Sequence, residues 1–261
     1  NTLTLNTQGA GTATIVNATA VNLAAGTVGG ATSITATLGN IIDAGTFTVS
    51  AGGATFVTGA DAASINLGTL AVTGGITLTT NDDNGSDADA TIVNATAFAF
   101  GASTVDGDLS ATATLGNITQ SGALTVGGTG TFVTSADDAD IVLSTTTNAI
   151  TGEVSFTTNT SESAAAGTSD VTFDNGVLDI VFAASTIAGD LVVTSGNVSG
   201  ITDNGTVTVD ADVTLTTDAN AGVINMNQLA QTDNSGNTLT LNTQGAGTAT
   251  IVNATAVNLA A

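Results

Sequence analysis

The sequence predicts an all-β fold, a β-solenoid of stacked coils, from three observations. The end of the chain, Asn237–Ala261, repeats Asn1–Ala25 letter for letter, so a 236-residue period leads from Asn1 to Asn237 and indicates a tandem-repeat architecture. Short segments alternate apolar and polar residues between clusters of Gly, Asn and Asp, and no stretch sustains a helical period. The chain is 42% hydrophobic but holds only 8 Phe and no Trp or Tyr, which favours a thin core repeated many times.

The 236-residue unit contains a finer repeat of about 79 residues. ATIVNATA at Ala13–Ala20 returns at Ala90–Ala97, and TFVT at Thr55–Thr58 returns at Thr131–Thr134. A third, looser copy follows. We therefore divide the chain into the end of a preceding repeat at residues 1–12, solenoid sub-repeat 1 at 13–89, sub-repeat 2 at 90–169, sub-repeat 3 at 170–248, and the start of the next 236-residue repeat at 249–261.

The alternating segments recur every six or seven residues, which predicts about twelve strands in each sub-repeat. Segments this short, with small residues at the corners, favour coils of about 19–20 residues with three strands each. Four coils would then form a sub-repeat, and twelve coils the unit. In such a stack each coil pairs only with its neighbours, and tandem continuation hides every sheet edge except at the two ends.

Two further expectations concern particular places in the sub-repeat. Asn residues that recur in register, namely Asn17 with Asn94 and Asn40 with Asn117, are expected to stack in buried ladders. The segments that follow Leu78, Phe156 and Leu241 differ in length and composition, from TTNDDNGSDAD to the short NTQGAG. A place that accepts insertions and collects acidic residues is predicted to be a surface loop that carries any functional decoration.

Every charge on the chain is negative. It holds 22 Asp and Glu and no Lys, Arg or His, for a net charge of −22. Binding to nucleic acid requires cations that neutralise phosphates, and binding to anionic lipid requires them as well, so both are excluded. No apolar run reaches the length of a membrane span. Without a start Met or a signal peptide, the chain is interpreted as an internal fragment.

The runs TLGNITQSGALTVGGTGTFVT (Thr114–Thr134) and GDLVVTSGNVSGITDNGTVTV (Gly189–Val209) carry a family resemblance. They resemble the repeats of filamentous-haemagglutinin-like giant bacterial surface proteins, adhesins of the two-partner-secretion type. The resemblance implies a right-handed parallel β-helix that is secreted to the bacterial cell surface. It also implies association with further copies, and contact with a host or neighbouring cell surface. Near-identical 236-residue units are more regular than an adhesin shaft, which favours a purely structural filament.

The residue inventory argues against catalysis. Without His, Cys, Lys, Tyr or Arg there is no general base of a triad, no thiolate and no cationic clamp for an oxyanion. A carboxylate pair of the glycosidase type is the remaining possibility. The candidates are Asp137, Asp138 and Asp140, or Asp210 with Asp212. Sub-repeat 1 has Ala62 at the place of Asp138, so we interpret these residues as solvated turn carboxylates and the chain as a non-enzyme.

Calcium is the one ligand for which the sequence offers a site, and no other cofactor is expected. Hard cations bind several carboxylate and carbonyl oxygens, and one loop supplies them at Asp82, Asp83, Asp87 and Asp89. The spacing matches neither an EF-hand loop nor a glycine-rich calcium repeat. Low-affinity binding of divalent cations along the whole acidic chain is also predicted.

Thr-X-Thr pairs recur along the chain, among them Thr77 with Thr79 and Thr214 with Thr216. They are typical of β-propensity and side-chain stacking. An ice-binding array is the alternative, and the unequal positions of the pairs within the sub-repeats argue against it.

These observations predict a non-enzymatic, extracellular β-solenoid that forms the shaft of a long filament or fibrous adhesin. One alternative is a tandem array of β-sandwich adhesion domains, one per sub-repeat. That alternative predicts about seven longer strands per domain and aromatic core anchors. A second, weaker alternative is a β-helix polysaccharide-degrading enzyme, which predicts a unique acidic cleft.

Overall fold

The computed structural model describes residues 2–81, 87–159, 168–232 and 236–253, and all regular structure in these ranges is β-strand. The strands of sub-repeat 1 are β1 Ala13–Asn17, β2 Val21–Leu23, β3 Gly26–Val28, β4 Thr32–Ala36, β5 Ile41–Asp43, β6 Phe47–Val49, β7 Ala54–Thr58, β8 Ile65–Val72 and β9 Gly75–Thr79. Those of sub-repeat 2 are β10 Ala90–Asn94, β11 Phe98–Phe100, β12 Ser103–Val105, β13 Leu109–Ala113, β14 Ile118–Gln120, β15 Leu124–Val126, β16 Gly130–Thr134, β17 Ile141–Leu143, β18 Ala149–Ile150 and β19 Val154–Thr157. The remaining strands are β20 Val171–Asp174, β21 Ile180–Phe182, β22 Ser185–Ile187, β23 Leu191–Ser195, β24 Ile201–Asp203, β25 Val207–Val209, β26 Val213–Asn220, β27 Val223–Gln231, β28 Leu239–Gln244 and β29 Thr248–Asn253.

The strands form two parallel sheets, and each strand pairs with strands of the coils before and after it. Sheet A has 15 strands and contains β2, β5, β8, β10, β13, β16, β19, β21, β24, β27 and β29 as successive levels. Sheet B has 14 strands and runs from β1 through β4, β7, β9, β11, β14, β17, β20, β23 and β26 to β28. Ten steps along sheet B mean about ten coils. The predicted β-solenoid is confirmed, and the alternative of tandem β-sandwiches is wrong.

The prediction of about 19–20 residues per coil is wrong for the average coil, although single coils come close to it. Corner residues on successive coils differ in sequence position by 19 from Asp89 to Asp108, but by 30 from Asp140 to Asp170. The ten steps of sheet B, from β1 to β28, give a mean coil of about 23 residues. Sub-repeats also hold nine or ten described strands instead of about twelve. The corners take up the difference, because several residues are needed to turn the chain between short strands, as at Thr37–Asn40 with its left-handed Gly39 (φ 108°).

Equivalent residues of successive sub-repeats lie on opposite sheets. The segment ATIVN forms β1 in sheet B, where Ala13 pairs with Thr32, and it forms β10 in sheet A, where Ala90 pairs with Leu109. The main strands β1, β4, β7 and β9 of sub-repeat 1 belong to sheet B, those of sub-repeat 2 (β10, β13, β16 and β19) to sheet A, and those of sub-repeat 3 (β20, β23, β26 and β28) to sheet B again. Each sub-repeat therefore contains three and a half coils, and the 236-residue period contains ten and a half instead of twelve.

This half-coil offset overturns the expected Asn ladders. Asn17 and Asn94 lie on different sheets, so they cannot stack on each other. Asn94 is fully buried, and its amide bonds instead to both backbone groups of Val72, with its Oδ1 2.8 Å from the nitrogen and its Nδ2 3.0 Å from the oxygen. Asn40 and Asn117 lie at corners, where each accepts a hydrogen bond from the next coil. These polar side chains serve to satisfy backbone groups that the sheets leave unpaired.

The core lies between the two sheets and consists of the inward-facing residue of each alternating pair. Most of these side chains are Val, Ile, Leu or Ala, and the 8 Phe are all buried. Aromatic contacts run through successive coils: the rings of Phe132 and Phe156 stack with centroids 5.7 Å apart, and Phe156 also meets Phe173 at 5.3 Å and Phe182 at 6.2 Å. The one Met, Met226, is fully buried and pairs with Ile251 as Leu67 pairs with Ile92.

A left-handed residue occurs at the same place in each sub-repeat. Among the described residues, the non-glycine positions with positive φ are Ala62 (52°), Asp138 (56°) and Ala221 (65°). Each lies in the turn that follows the third main strand of its sub-repeat. The left-handed conformation costs a residue with a Cβ about 1–2 kcal/mol. Each sub-repeat therefore contains a small amount of backbone strain at this turn.

We expect Ala62→Gly to raise the free energy of unfolding by about 0.5–1 kcal/mol, because glycine adopts the left-handed conformation without steric cost. The neighbouring Ala63 is buried and does not have a positive φ, so Ala63→Gly is the matched control and should destabilise the chain by a similar amount. Thermal and urea unfolding followed by circular dichroism measure both changes. A loss of stability in Ala62→Gly equal to that in Ala63→Gly would contradict the assignment.

Candidate functional site: the acidic corner columns

Polar residues stack in two columns at the corners where the chain enters a strand. Each member directly precedes a strand, and successive members lie on successive coils. Corner column A leads into sheet A and comprises Asn40, Ser64, Asp89, Asp108, Thr129 and Glu153. Corner column B leads into sheet B and comprises Asn117, Asp140, Asp170, Asp190, Asp212 and Thr238.

Hydrogen bonds connect the members of corner column B from coil to coil. The Oδ1 atom of each member accepts the backbone N–H of the next, at distances of 3.0 Å from Asn117 to Asp140, 3.0 Å to Asp170, 2.8 Å to Asp190, 2.9 Å to Asp212 and 2.7 Å to Thr238. An N–H at the start of a strand lacks a carbonyl partner in the sheet, so an oxygen from the preceding coil stabilises it. Bonds of this kind to an ionised acceptor are stronger than neutral ones.

Corner column A repeats the arrangement over fewer coils. Asp89 accepts the N–H of Asp108 at 2.9 Å, and Asp108 accepts that of Thr129 at 2.7 Å. Asn40 accepts the N–H of Ser64 at 3.0 Å in the same way. In both columns, therefore, Asn and Asp accept the same kind of hydrogen bond from the next coil, but only Asp adds a negative charge.

Two of the four predicted calcium ligands, Asp87 and Asp89, belong to the described residues. Asp82 and Asp83 lie outside the described residues. Asp87 is exposed, and Asp89 belongs to corner column A, where its carboxylate accepts the Asp108 N–H. Among the described residues, no group of three Asp or Glu is placed to hold a metal ion. Calcium binding by the loop stays a prediction.

The carboxylates weighed for catalysis lie at corners and turns. Asp140 and Asp212 both belong to corner column B, separated by the coils of Asp170 and Asp190. Asp137 accepts a hydrogen bond of 2.6 Å from the Asn159 amide. Asp210 accepts one from the hydroxyl of Thr232. The interpretation of the chain as a non-enzyme stays a prediction.

The carboxyl groups of Asp190 and Asp174 have raised pKa values. Partial burial raises the pKa of Asp190, and the neighbouring charges of Asp170 and Asp212 raise it further, against the hydrogen bond from the Asp212 N–H. Partial burial also raises the pKa of Asp174 in sheet B, and the charge of Asp218 adds to this. With strands about 4.8 Å apart, like charges on successive coils repel each other, and the chain holds no Lys or Arg to compensate.

The two corner columns were not predicted from the sequence, although the sequence contains a pattern that marks their acidic members. Asp stands directly before an apolar strand at seven places, and all but Asp179 belong to the columns: Asp89, Asp108, Asp140, Asp170, Asp179, Asp190 and Asp212. The spacing of these residues varies between 19 and 30 where they follow one another in a column, so a search for a fixed period misses them. The feature that these acidic residues share is their position directly before a strand.

One known protein family matches part of the chain. A family described as repeats of unknown function (DUF5649) matches residues 87–157. The matched stretch is similar to that family and covers β10 to β19, the strands of sub-repeat 2. No curated protein and no solved structure matches the chain. In the described part of the chain, no helix is long and apolar enough to cross a membrane.

We expect the chain to become more stable as the pH falls from 7 towards 4. Because the pKa of Asp190 is raised in the folded state, the folded protein binds a proton that the unfolded protein releases. The stabilisation is complete below the ordinary Asp value near 3.9, and it disappears as the pH rises through the raised pKa. Thermal unfolding at a series of pH values measures the effect.

Two substitutions separate charge from hydrogen bonding at this position. Asp190→Asn keeps an oxygen that can accept the Asp212 N–H, as Asn117 does for Asp140. It should therefore stabilise the chain at pH 7 by up to about 1 kcal/mol and flatten the pH profile. Asp190→Ala removes the acceptor and should destabilise it by about 1 kcal/mol. Equal loss of stability in both variants at pH 7 would show that charge repulsion is not significant here.

Proposed function

We propose that the chain is a length of the shaft of an extracellular bacterial filament or fibrous adhesin, built from tandem 236-residue β-solenoid units. One observation carries the proposal. β29, at the start of the next 236-residue repeat, pairs with β27 through Ile224–Ala249 and Met226–Ile251. β10 pairs with β8 in the same way at the boundary between sub-repeats 1 and 2. The joint between two units is thus of the same kind as the joint between two sub-repeats, so stacking can continue from unit to unit.

The direction of the hydrogen bonds makes the solenoid suitable as a stiff shaft. Strands run across the axis and bond along it, so each coil adds about 4.8 Å and stability accumulates along the stack. Ten and a half coils give about 50 Å for each 236-residue unit. A rod of this kind is stiff and needs no large globular core, in agreement with the small side chains of the chain.

The charge supports an extracellular role as a soluble, cation-dependent shaft. With 22 carboxylates in about 50 Å, one negative charge occurs for every ~2.3 Å of axis, compared with ~1.7 Å in duplex DNA. Such a rod attracts counterions and repels its copies at low ionic strength. Divalent cations are the partners that this surface favours. A host or neighbouring cell would be contacted by parts of an adhesin beyond these repeats.

Localisation tests the proposal directly. Antibodies raised against the 261-residue chain should label fibres on the outside of intact cells of the source organism in immunoelectron microscopy. Pre-immune serum and a cytosolic marker on the same unpermeabilised cells are the controls. Labelling that occurs only after permeabilisation would refute the extracellular shaft.

We also expect calcium or magnesium to promote lateral bundling of the shaft at a concentration where sodium of equal ionic strength does not. Divalent ions can bridge the carboxylates that project from the corners of two rods, whereas sodium only screens them. Light scattering and negative-stain images measure bundling, and chelation should reverse it. Equal bundling in sodium would mean that cations act by screening alone.

A further inference from the structure

The strands of sheet A carry no charged side chain at their described outward positions, and the carboxylates on this side precede the strands, at Asp89, Asp108, Glu153 and Asp179. Strand residues alternate between core and surface, and at the described surface positions of this sheet they are Thr, Ser, Val, Ala, Asn, Ile, Gly or Gln. In the column that passes through its middle, the register aligns Val93, Thr112, Val133 and Thr157. The other surface positions of the eleven levels are Asn22, Thr27, Ile42, Thr48, Asn66, Gly68, Thr69, Ala71, Thr91, Ser110, Thr131, Ser155, Val181, Thr186, Thr202, Thr208, Val223, Asn225, Asn227, Gln228, Ala230, Thr248, Thr250 and Val252.

Two carboxylates belong to residues within the strands of this sheet, Asp43 and Asp203, and both are bound within the fold. Asp43 accepts the N–H groups of Gly68 and Thr69 at 3.1 and 2.7 Å. Asp203 is buried and accepts those of Asn227 and Gln228 at 2.9 and 2.8 Å. Each carboxylate lies where the long strand of the following coil bends. Neither of them occupies a surface position of the sheet.

Sheet B differs from sheet A in this respect. Asp174 lies at a surface position of β20, and Asp218 is exposed on β26. The two charges are near enough for Asp218 to raise the pKa of Asp174. Because the chain has no Lys or Arg, a partner of the same sequence could not pair these charges. Burying an unpaired charge costs several kcal/mol.

The size of the sheet A face is sufficient for a stable contact. Eleven levels span about 48 Å, and a strand of five residues spans about 17 Å. The footprint is therefore about 800 Å², which equals the area that each partner buries in a protein interface of standard size. β-branched side chains in register, as at Val133, pack well between two sheets.

We propose that the outward face of sheet A docks on the same face of a second copy of this chain. Two molecules that each carry a charge of −22 can approach closely only where few carboxylates face each other. The described strand positions of this face carry none, and the carboxylates on this side lie at the corner before the strands. The contact is isologous, so a two-fold axis passes through the centre of the face. The sixth of the eleven levels is β16, which places Val133 close to that axis.

A consequence arises when docking is combined with the proposed tandem array, and this step alone rests on the proposed function. A unit of ten and a half coils transfers each sequence to the opposite sheet in the next unit. The uncharged face then alternates between the two sides of the shaft every ~50 Å. A shaft could dock on both sides, and docking would extend into a layer instead of ending at a pair.

TFVT provides a matched pair of variants for the test. Val133 on sheet A and Val57 on sheet B are the same residue of this repeated segment, and both face outward and are partly exposed. In sedimentation experiments on the 261-residue chain across the micromolar range, with chelator at physiological ionic strength, we expect a reversible dimer. Val133→Asp should weaken it at least ~100-fold, because it buries an unpaired charge. Val57→Asp should leave it unchanged. Circular dichroism must show that both variants are folded.

Cross-linking gives a second measurement that needs no charged side chain on the face. The chain has no Cys, so Val133→Cys and Val57→Cys each introduce a single thiol. A short bis-maleimide should convert Val133→Cys to a covalent dimer and leave Val57→Cys monomeric. A wild-type chain that stays monomeric would overturn the proposal in favour of an occupant of another kind, such as ice or a foreign polymer. Equal weakening by the two Asp variants, or equal cross-linking of the two Cys variants, would overturn it as well.

The two proposals fail in different experiments. A monomeric chain that nonetheless labels outside the cell would refute docking and leave the shaft intact. A specific sheet A dimer from a chain found only inside the cell would do the reverse. Chelator in the sedimentation buffer also separates docking from bundling by divalent cations.

Discussion

Register between coils is the constraint on which the rest of the structure depends. In a parallel stack each residue lies over one residue of the coil before it, so a side chain that suits one level must suit its neighbours above and below. At inward positions this requirement is met by small aliphatic residues, which pack on one another from coil to coil. It is also met by a run of Phe from Phe98 to Phe182, whose rings contact each other along the core. At the corners, Asp and Asn suit successive levels because the oxygen of each accepts an N–H of the next coil, as Asp170 does from Asp190.

The same constraint distributes the charge. A chain with 22 carboxylates and no cation cannot form an ion pair between side chains, so hydrogen bonds from backbone N–H groups are its means of stabilising stacked carboxylates. Such N–H groups are free at corners, where a strand begins, and they are used up within the sheets. Many acidic residues therefore lie in the corner columns and turns, and the described outward strand positions of sheet A carry no charge. Repulsion along a column persists, which is why burial and the neighbouring charges raise the pKa of Asp190.

Much of the fold could be predicted from the sequence, because it depends on local pattern. The alternation at Val207–Val209 and the repeated ATIVN and TFVT segments identify parallel stacked strands without further information. The length of a coil could not be predicted, because corners such as Thr37–Asn40 contain no regular pattern that fixes their size. An error of a few residues per coil then changed twelve coils to ten and a half. The Asn ladders failed for this reason, since Asn17 and Asn94 align in sequence but lie half a coil out of phase. For the candidate site, the identity of the acidic residues was visible, whereas their assembly into columns depends on the unequal coils between Asp140 and Asp212.

The half-coil offset also explains the composition. Sub-repeats of three and a half coils place ATIVN in sheet B at β1 and in sheet A at β10 and β29. The same residues must therefore pack against the partner strands of either sheet, which differ in length and in the position of their bends. Val, Thr, Ala and Ile fit both environments, and so does the Phe of TFVT, which is buried in sheet B as Phe56 and in sheet A as Phe132. The abundance of β-branched residues agrees with this double use. Three sub-repeats make an odd number of half coils, so a 236-residue unit cannot return to its starting sheet. Two units, about 100 Å of solenoid, are needed before sequence and sheet coincide again.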